Sequence, residues 1–146
     1  MSAGYSRKPL AQKLGIRKGY VLAFLNAPDY YDSILGKLPD KVTLARGPGW
    51  QLDFIQLFAT ERASLEKELP RLKARLKQDG MIWVSWPKSS SRLRTDLSDG
   101  VVREVGLKNG LVDVKVCAVD DSWSALKFVR RLKDREDNLR PQKRKA

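Results

Sequence analysis

The run Trp86-Pro87-Lys88-Ser89-Ser90-Ser91-Arg92 sets an indole beside two cations and three hydroxyls, residue types that can stack on a base and hold a phosphate. Arg94 extends the cationic stretch. Asn26-Ala27-Pro28-Asp29 closes an apolar run and offers an amide and a carboxylate, and Arg46, closing the next, can meet a phosphate or carboxylate. Asp120-Asp121 is a carboxylate pair, but adjacent acids are also what a tight turn selects, and no catalysis is assigned to them. Cys117 is the sole cysteine, set between apolar neighbours in a chain without histidine, so an inert buried thiol is expected. No catalytic residue and no metal ligand is assigned.

Composition narrows the field further. The absence of histidine removes the usual general base, proton shuttle and transition-metal ligand, and with them most hydrolase mechanisms. One cysteine excludes an intramolecular disulfide and a zinc site built from cysteines, which fits a reducing, cytoplasmic setting. No apolar stretch approaches the roughly 20 residues that cross a bilayer, so no membrane association is expected. The net charge is +12, and half of the excess lies in residues 127–146, where nine cations face three acids. A tail of this kind, with Arg140, Lys143, Arg144 and Lys145 at its end, can attract RNA, DNA or another polyanion, as can Lys88, Arg92 and Arg94.

The elements that must position these residues follow from the hydropathy pattern. Pro9 to Leu14 reads as a short helix ended by Gly15, and Val21-Leu-Ala-Phe-Leu25 as a central strand buried on both faces. Tyr31, Ile34, Leu35 and Leu38 recur at helical spacing before a second strand, Lys41 to Ala45, and Trp50 to Ala59 forms a third. Leu65, Leu69, Leu72 and Leu76 predict an amphipathic helix capped by Thr60, kinked or divided at Pro70 and ended by Gly80. Met81 to Trp86 is a fourth strand, and a helix capped by Thr95 carries Leu97, Val101, Val102 and Val105 inward to an end near Gly110. Leu111 to Val119 and Ser124 to Arg131 are separated by four residues, which requires an antiparallel hairpin. Lys115 and Lys127 fall on one side of it as solvent-facing residues, while Trp50, Trp83 and Trp123 are expected in the core. The order predicts a mostly parallel sheet covered by helices, residues 1–131 forming one α/β domain and 132–146 a flexible basic tail. Ligands of such sheets bind at the carboxyl ends of the strands, a rim that gathers Asn26, Pro28, Asp29, Arg46, Thr60, Glu61, Trp86 and Lys88.

A helix leading through Lys77-Gln-Asp-Gly80 into Met81-Ile-Trp-Val, with a closing antiparallel hairpin, resembles the C-terminal half of class I S-adenosylmethionine-dependent methyltransferases. The resemblance implies a three-layer Rossmann-like fold with the unit around the family's third strand omitted. Asn26-Ala-Pro28, Trp86-Pro-Lys88, Thr95-Asp-Leu97, Gly110 to Cys117 and Trp123 to Arg130 also resemble the short bacterial proteins grouped as domain of unknown function 3052, a likeness that implies no activity or cofactor.

Against the methyltransferase pattern two features depart. The turn after the first strand lacks its glycines, Pro28 removing an N–H and Ala27 adding a Cβ, and Ala45-Arg46 stands where the family places an acid for the ribose hydroxyls. S-adenosylmethionine is therefore a candidate cofactor whose usual motif is absent. The reading favoured by these departures is a noncatalytic binding or regulatory domain on a degenerate scaffold. The alternatives are an atypical S-adenosylmethionine-dependent transferase and a nucleic-acid-associated basic protein.

Overall fold

Alternation in the strands explains how one sheet buries two cores. In the computed structural model, which describes residues 8–47 and 49–139, the strands are β1 (Val21–Leu25), β2 (Thr43–Leu44), β3 (Leu52–Phe58), β4 (Leu76–Pro87), β5 (Leu111–Ala118) and β6 (Trp123–Arg130). The helices are α1 (Leu10–Lys13), α2 (Tyr31–Leu35), α3 (Arg62–Ala74), α4 (Asp99–Lys108) and α5 (Leu132–Leu139). Ile55, Leu57, Ile82, Val84, Leu126 and Phe128 point to one face, where α3 and α4 add Leu65, Leu69, Leu72, Val102 and Val105. Phe54, Phe58, Met81, Trp83 and Ala125 point to the other, beneath Leu14 of α1's end and Tyr31 and Leu35 of α2. Successive residues facing opposite ways, each met by helices, make continuous apolar runs the right sequence for these strands.

The sheet order is β2-β1-β3-β4-β6-β5. The pairs β1–β2, β1–β3 and β3–β4 are parallel, whereas β6 runs antiparallel to both β4 and β5. This is the expected three-layer, mostly parallel α/β sheet with a C-terminal antiparallel hairpin. Strand β1 lies between β3 and the two-residue edge strand β2, one place from the sheet's margin, and of its residues only Leu22 is fully buried.

Several local expectations are corrected. Helix α3 stops at Ala74 and runs unbroken through Pro70; Leu76 opens β4, and Gly80 lies within that strand instead of ending a helix. Between the pairs Leu52–Leu76 and Phe54–Met81, β3 advances two residues and β4 five, which is a bulge. A Cβ at Gly80 would lie 2.6 Å from Leu76 Cδ1 and 3.0 Å from the Leu52 carbonyl oxygen, so the bulge closes only over glycine. Thr60 and Thr95 are not the helix caps. Asp96 Oδ1 accepts from the Arg62 N–H at 2.7 Å and so caps α3 from 34 residues away, while Ser98 Oγ accepts from Val101 N at 3.2 Å to cap α4. At the other end of α3, Arg130 Nη2 donates to the carbonyls of Lys73 and Leu76 at 2.7 and 2.8 Å. Trp83 and Trp123 are buried as expected, but Trp50 is 41% exposed. Residues 132–139, expected in the tail, form α5; Arg140, Lys143, Arg144 and Lys145 lie outside the described residues.

Candidate functional site

Strand order reverses between β1 and β3, since the chain leaves β1 toward β2 and returns to the opposite side of β1. That switch point, outside the carboxyl ends of β1 and β3, is where open α/β sheets hold ligands. Asn26 follows β1 with φ +61°, one of two non-glycine residues with positive φ among those described. The left-handed turn is therefore kept, with asparagine, the side chain that tolerates it best, in place of glycine. Asn26→Gly is expected to leave stability within about 0.5 kcal/mol, and Asn26→Val to cost ~1–2 kcal/mol, read from urea midpoints at constant slope.

The crevice beyond that turn is packed by the chain's own aromatics. Tyr31 meets Phe24 at 5.8 Å and Phe58 at 5.0 Å between ring centroids, and Phe58 meets Trp123 edge-on at 5.1 Å. Above this row Tyr30 Oη donates to Asp120 Oδ2 at 2.8 Å, tying the start of α2 to the β5–β6 turn. The same Asp120 accepts from the N–H groups of Ser122 and Trp123 through Oδ1, both at 2.8 Å, so it is a turn residue as the sequence indicates. Below the row, Tyr31 Oη donates to Gln56 Oε1, and Gln56 Nε2 donates to Ser85 Oγ at 3.1 Å, a polar chain through fully buried Gln56 and Ser85. Burial holds the Tyr31 phenol well above its ordinary pKa, so it stays a neutral donor. Asn26, Asp29 and Arg46 are exposed around this plug, and Pro28 contributes the carbonyl that accepts from Tyr31 N at 2.9 Å.

The open space lies one strand further along the rim. A cavity of about 1200 Å³ is bounded by the ends of β3 and β4, the loop 88–98, the start of α4 and the hairpin. Thr60, Glu61, Trp86 and Lys88 line it together, whereas Asn26, Pro28, Asp29 and Arg46 do not. Its loop is anchored at both ends: Lys88 N donates to Ser122 O at 2.8 Å, and Thr95 Oγ1 donates to Thr60 O at 2.7 Å. Between the anchors Leu93 is 47% exposed, and across the trough Val116 on β5 is 57% exposed. Trp86 is 6% exposed, a core residue that gives the trough part of its floor and no open stacking face.

Charge in the trough is mixed, Lys88 and Arg94 standing among Glu61, Asp96 and Asp99. Asp96 is committed to the α3 cap and Asp99 to Arg103, which also holds Asp113 at 2.9 Å. Lys88 and Arg94 make no ion pair through their side chains among the described residues, and the exposed carboxylate of Glu61 lines the same trough. Arg92 is exposed on the same loop, outside the lining. The arrangement suits an anion with an apolar body, the anion toward Lys88 and Arg94 and the body between Leu93 and Val116. Sequence reasoning missed Leu93 and Val116; nothing local in the run Leu-Val-Asp-Val-Lys-Val reveals which valines a helix will leave uncovered. Among the described residues no cluster of three or more acids or cysteines is placed to hold a metal ion. No helix among them is long and apolar enough to cross a membrane.

Comparison of the sequence with family models gives no match, and comparison with curated proteins gives none. Solved structures do match. A methyltransferase from Aquifex aeolicus described as S-adenosylmethionine-dependent aligns over 80% of this chain and 85% of its own, with TM-score 0.57 and 14% identity. DhpI, solved as a complex with S-adenosylhomocysteine, aligns over 85% and 83% with TM-score 0.59 and 12% identity. A TehB-like S-adenosylmethionine-dependent methyltransferase from Corynebacterium glutamicum aligns over 88% and 91% with TM-score 0.52 and 11% identity. At these identities the likeness is one of architecture, and the chain has the three-layer α/β fold of the S-adenosylmethionine-dependent methyltransferases.

Proposed function

We propose that this chain is a noncatalytic binding domain on a methyltransferase-like scaffold, and that its ligand is an anion with an apolar body seated in the trough beside Lys88 and Arg94. The observation that carries the reading is the exchange of open space. The switch-point crevice is packed by Tyr31, Phe58 and Trp123, while the cavity has moved to the ends of β3 and β4. The residues around the crevice do not fit S-adenosylmethionine in its usual mode: Pro28 has no N–H to offer, Ala27 narrows the turn, and Arg46 stands where a carboxylate would meet the ribose. The quoted runs also support placing the chain with the short bacterial proteins of domain of unknown function 3052.

Calorimetry with S-adenosylmethionine and S-adenosylhomocysteine, beside fluorescence titration with the anionic, apolar probe 8-anilinonaphthalene-1-sulfonate, tests this directly. Both cofactor forms are expected to bind more weakly than about 1 mM, and Lys88→Gln with Arg94→Gln to weaken the probe about tenfold. Micromolar cofactor binding that Asn26→Ala impairs would overturn the reading. It would support the second one, an atypical S-adenosylmethionine-dependent transferase, which the left-handed Asn26 turn and the cofactor-bound fold neighbours favour.

A further inference from the structure

The hairpin carries a second concentration of charge, on the face opposite the trough. Lys115 and Lys127 are direct cross-strand partners in the β5–β6 register, and Lys127 is also in register with Trp83 of β4. Their Cβ atoms thus stand about 5 Å apart, a placement in which like charges oppose sheet formation. A third cation arrives from the N-terminal segment. The Trp83 indole N–H donates to the Leu14 carbonyl at 2.9 Å and pins the chain after α1 over this part of the sheet, and the charge of Arg17, three residues on, is felt at Lys127.

Among the described residues no acid is paired with them. Four cations elsewhere are held by acids, Arg62 by Glu66 and Glu104, Arg103 by Asp99 and Asp113, Lys77 by Asp53 and Lys108 by Glu104. Among the described residues Arg17, Lys115 and Lys127 form no ion pair. Burial and the neighbouring charges of Lys115 and Arg17 both push the Lys127 ammonium below its ordinary pKa, and no carboxylate acts in the opposite sense. Two lysine stems rooted about 5 Å apart, with a guanidinium whose charge is felt at one of them, can close on one tetrahedral anion, which would convert their repulsion into attraction.

We propose that Arg17, Lys115 and Lys127 form a phosphate site, suited to the phosphodiester backbone of a nucleic acid or to a free phosphate. This site stands apart from the trough, on the other side of the sheet, and does not rest on the reading given to it.

The test uses the full chain, stripped of nucleic acid, and a variant carrying Arg17→Gln, Lys115→Gln and Lys127→Gln. A control carries Lys37→Gln, Lys67→Gln and Arg71→Gln, exposed cations elsewhere with the same loss of charge. A labelled single-stranded oligonucleotide is titrated by fluorescence anisotropy across a salt series. If the backbone is the ligand, the site variant binds at least tenfold more weakly. The slope of log K against log salt becomes shallower by about 0.7, the loss of one phosphate contact. The control changes affinity less than about threefold. If a small phosphate is the ligand, oligonucleotide binding is the same in all three proteins. Inorganic phosphate at fixed ionic strength then raises the melting temperature of the parent and the control but not of the site variant. Equal weakening in site and control variants, or no difference in either arm, overturns the proposal. Removing like charges relieves repulsion, so the site variant should melt no lower than the parent; one that melts lower is replaced by Lys127→Gln alone and read in the same two arms.

Discussion

Gly106→Ala is expected to lower stability by ~2–3 kcal/mol, roughly 10 °C in melting temperature, although alanine for glycine inside a helix ordinarily stabilises by about 1 kcal/mol. The reversal comes from one contact. Gly106 is buried in α4, and a Cβ there would lie 2.1 Å from Phe128 Cε1 and 2.4 Å from Cζ. Phe128 is 0% exposed and packed on the sheet beneath α3 and α4, so its ring has nowhere to turn. The helix must lift or the ring must leave its place, and either separates α4 from β6. Gly106→Ala combined with Phe128→Leu should recover part of the loss, and a thermal-melt double-mutant cycle would read the coupling directly. An alanine variant that melts higher than the parent would mean that α4 does not sit against Phe128.

Gln56→Leu is expected to cost ~2–4 kcal/mol in urea titrations, more than its loss of polar contacts alone would suggest. Gln56 is the middle of the buried chain from Tyr31 to Ser85, and leucine leaves a phenol hydroxyl and a serine hydroxyl without partners in a dry interior. The asymmetry provides the check. Tyr31→Phe, Gln56→Leu and Ser85→Ala together remove every polar group of the chain and should return stability to within about 1 kcal/mol of the parent, because what costs is an orphaned group. A triple variant no more stable than Gln56→Leu would place the cost in packing. The same chain ties α2 to β3 and β4, so it also holds Tyr31 where it fills the switch-point crevice.

What could be read in advance, and what could not, divides by how far the deciding contact lies along the chain. The run Val21 to Leu25 and the hairpin Leu111 to Arg130 declare themselves locally, through unbroken apolar character and a four-residue link. The limits of α3 do not, because Asp96 supplies its N-terminal cap and Arg130 its C-terminal one, from 34 and more than 50 residues away. Gly80 misled for a related reason: a glycine after a helix pattern reads as a stop, yet here it answers to the Leu76 side chain and the Leu52 carbonyl across a bulge. For the site, Trp86 and Lys88 were legible as a rim and do line the cavity. That Asn26 and Arg46 would be parted from them was not legible, since the aromatic row between depends on contacts among four separate elements.

The sheet's two margins bear on how the molecule behaves at high concentration. Unpaired strand edges are templates on which other chains can add, and long flat ones seed aggregation. Here one margin is β2, only two residues long, and the other is β5, interrupted between Asp113 and Lys115 by an irregularity in register. Neither gives an incoming strand more than a few consecutive backbone partners. Each border of the six-stranded sheet thus offers little to a strand that would extend it.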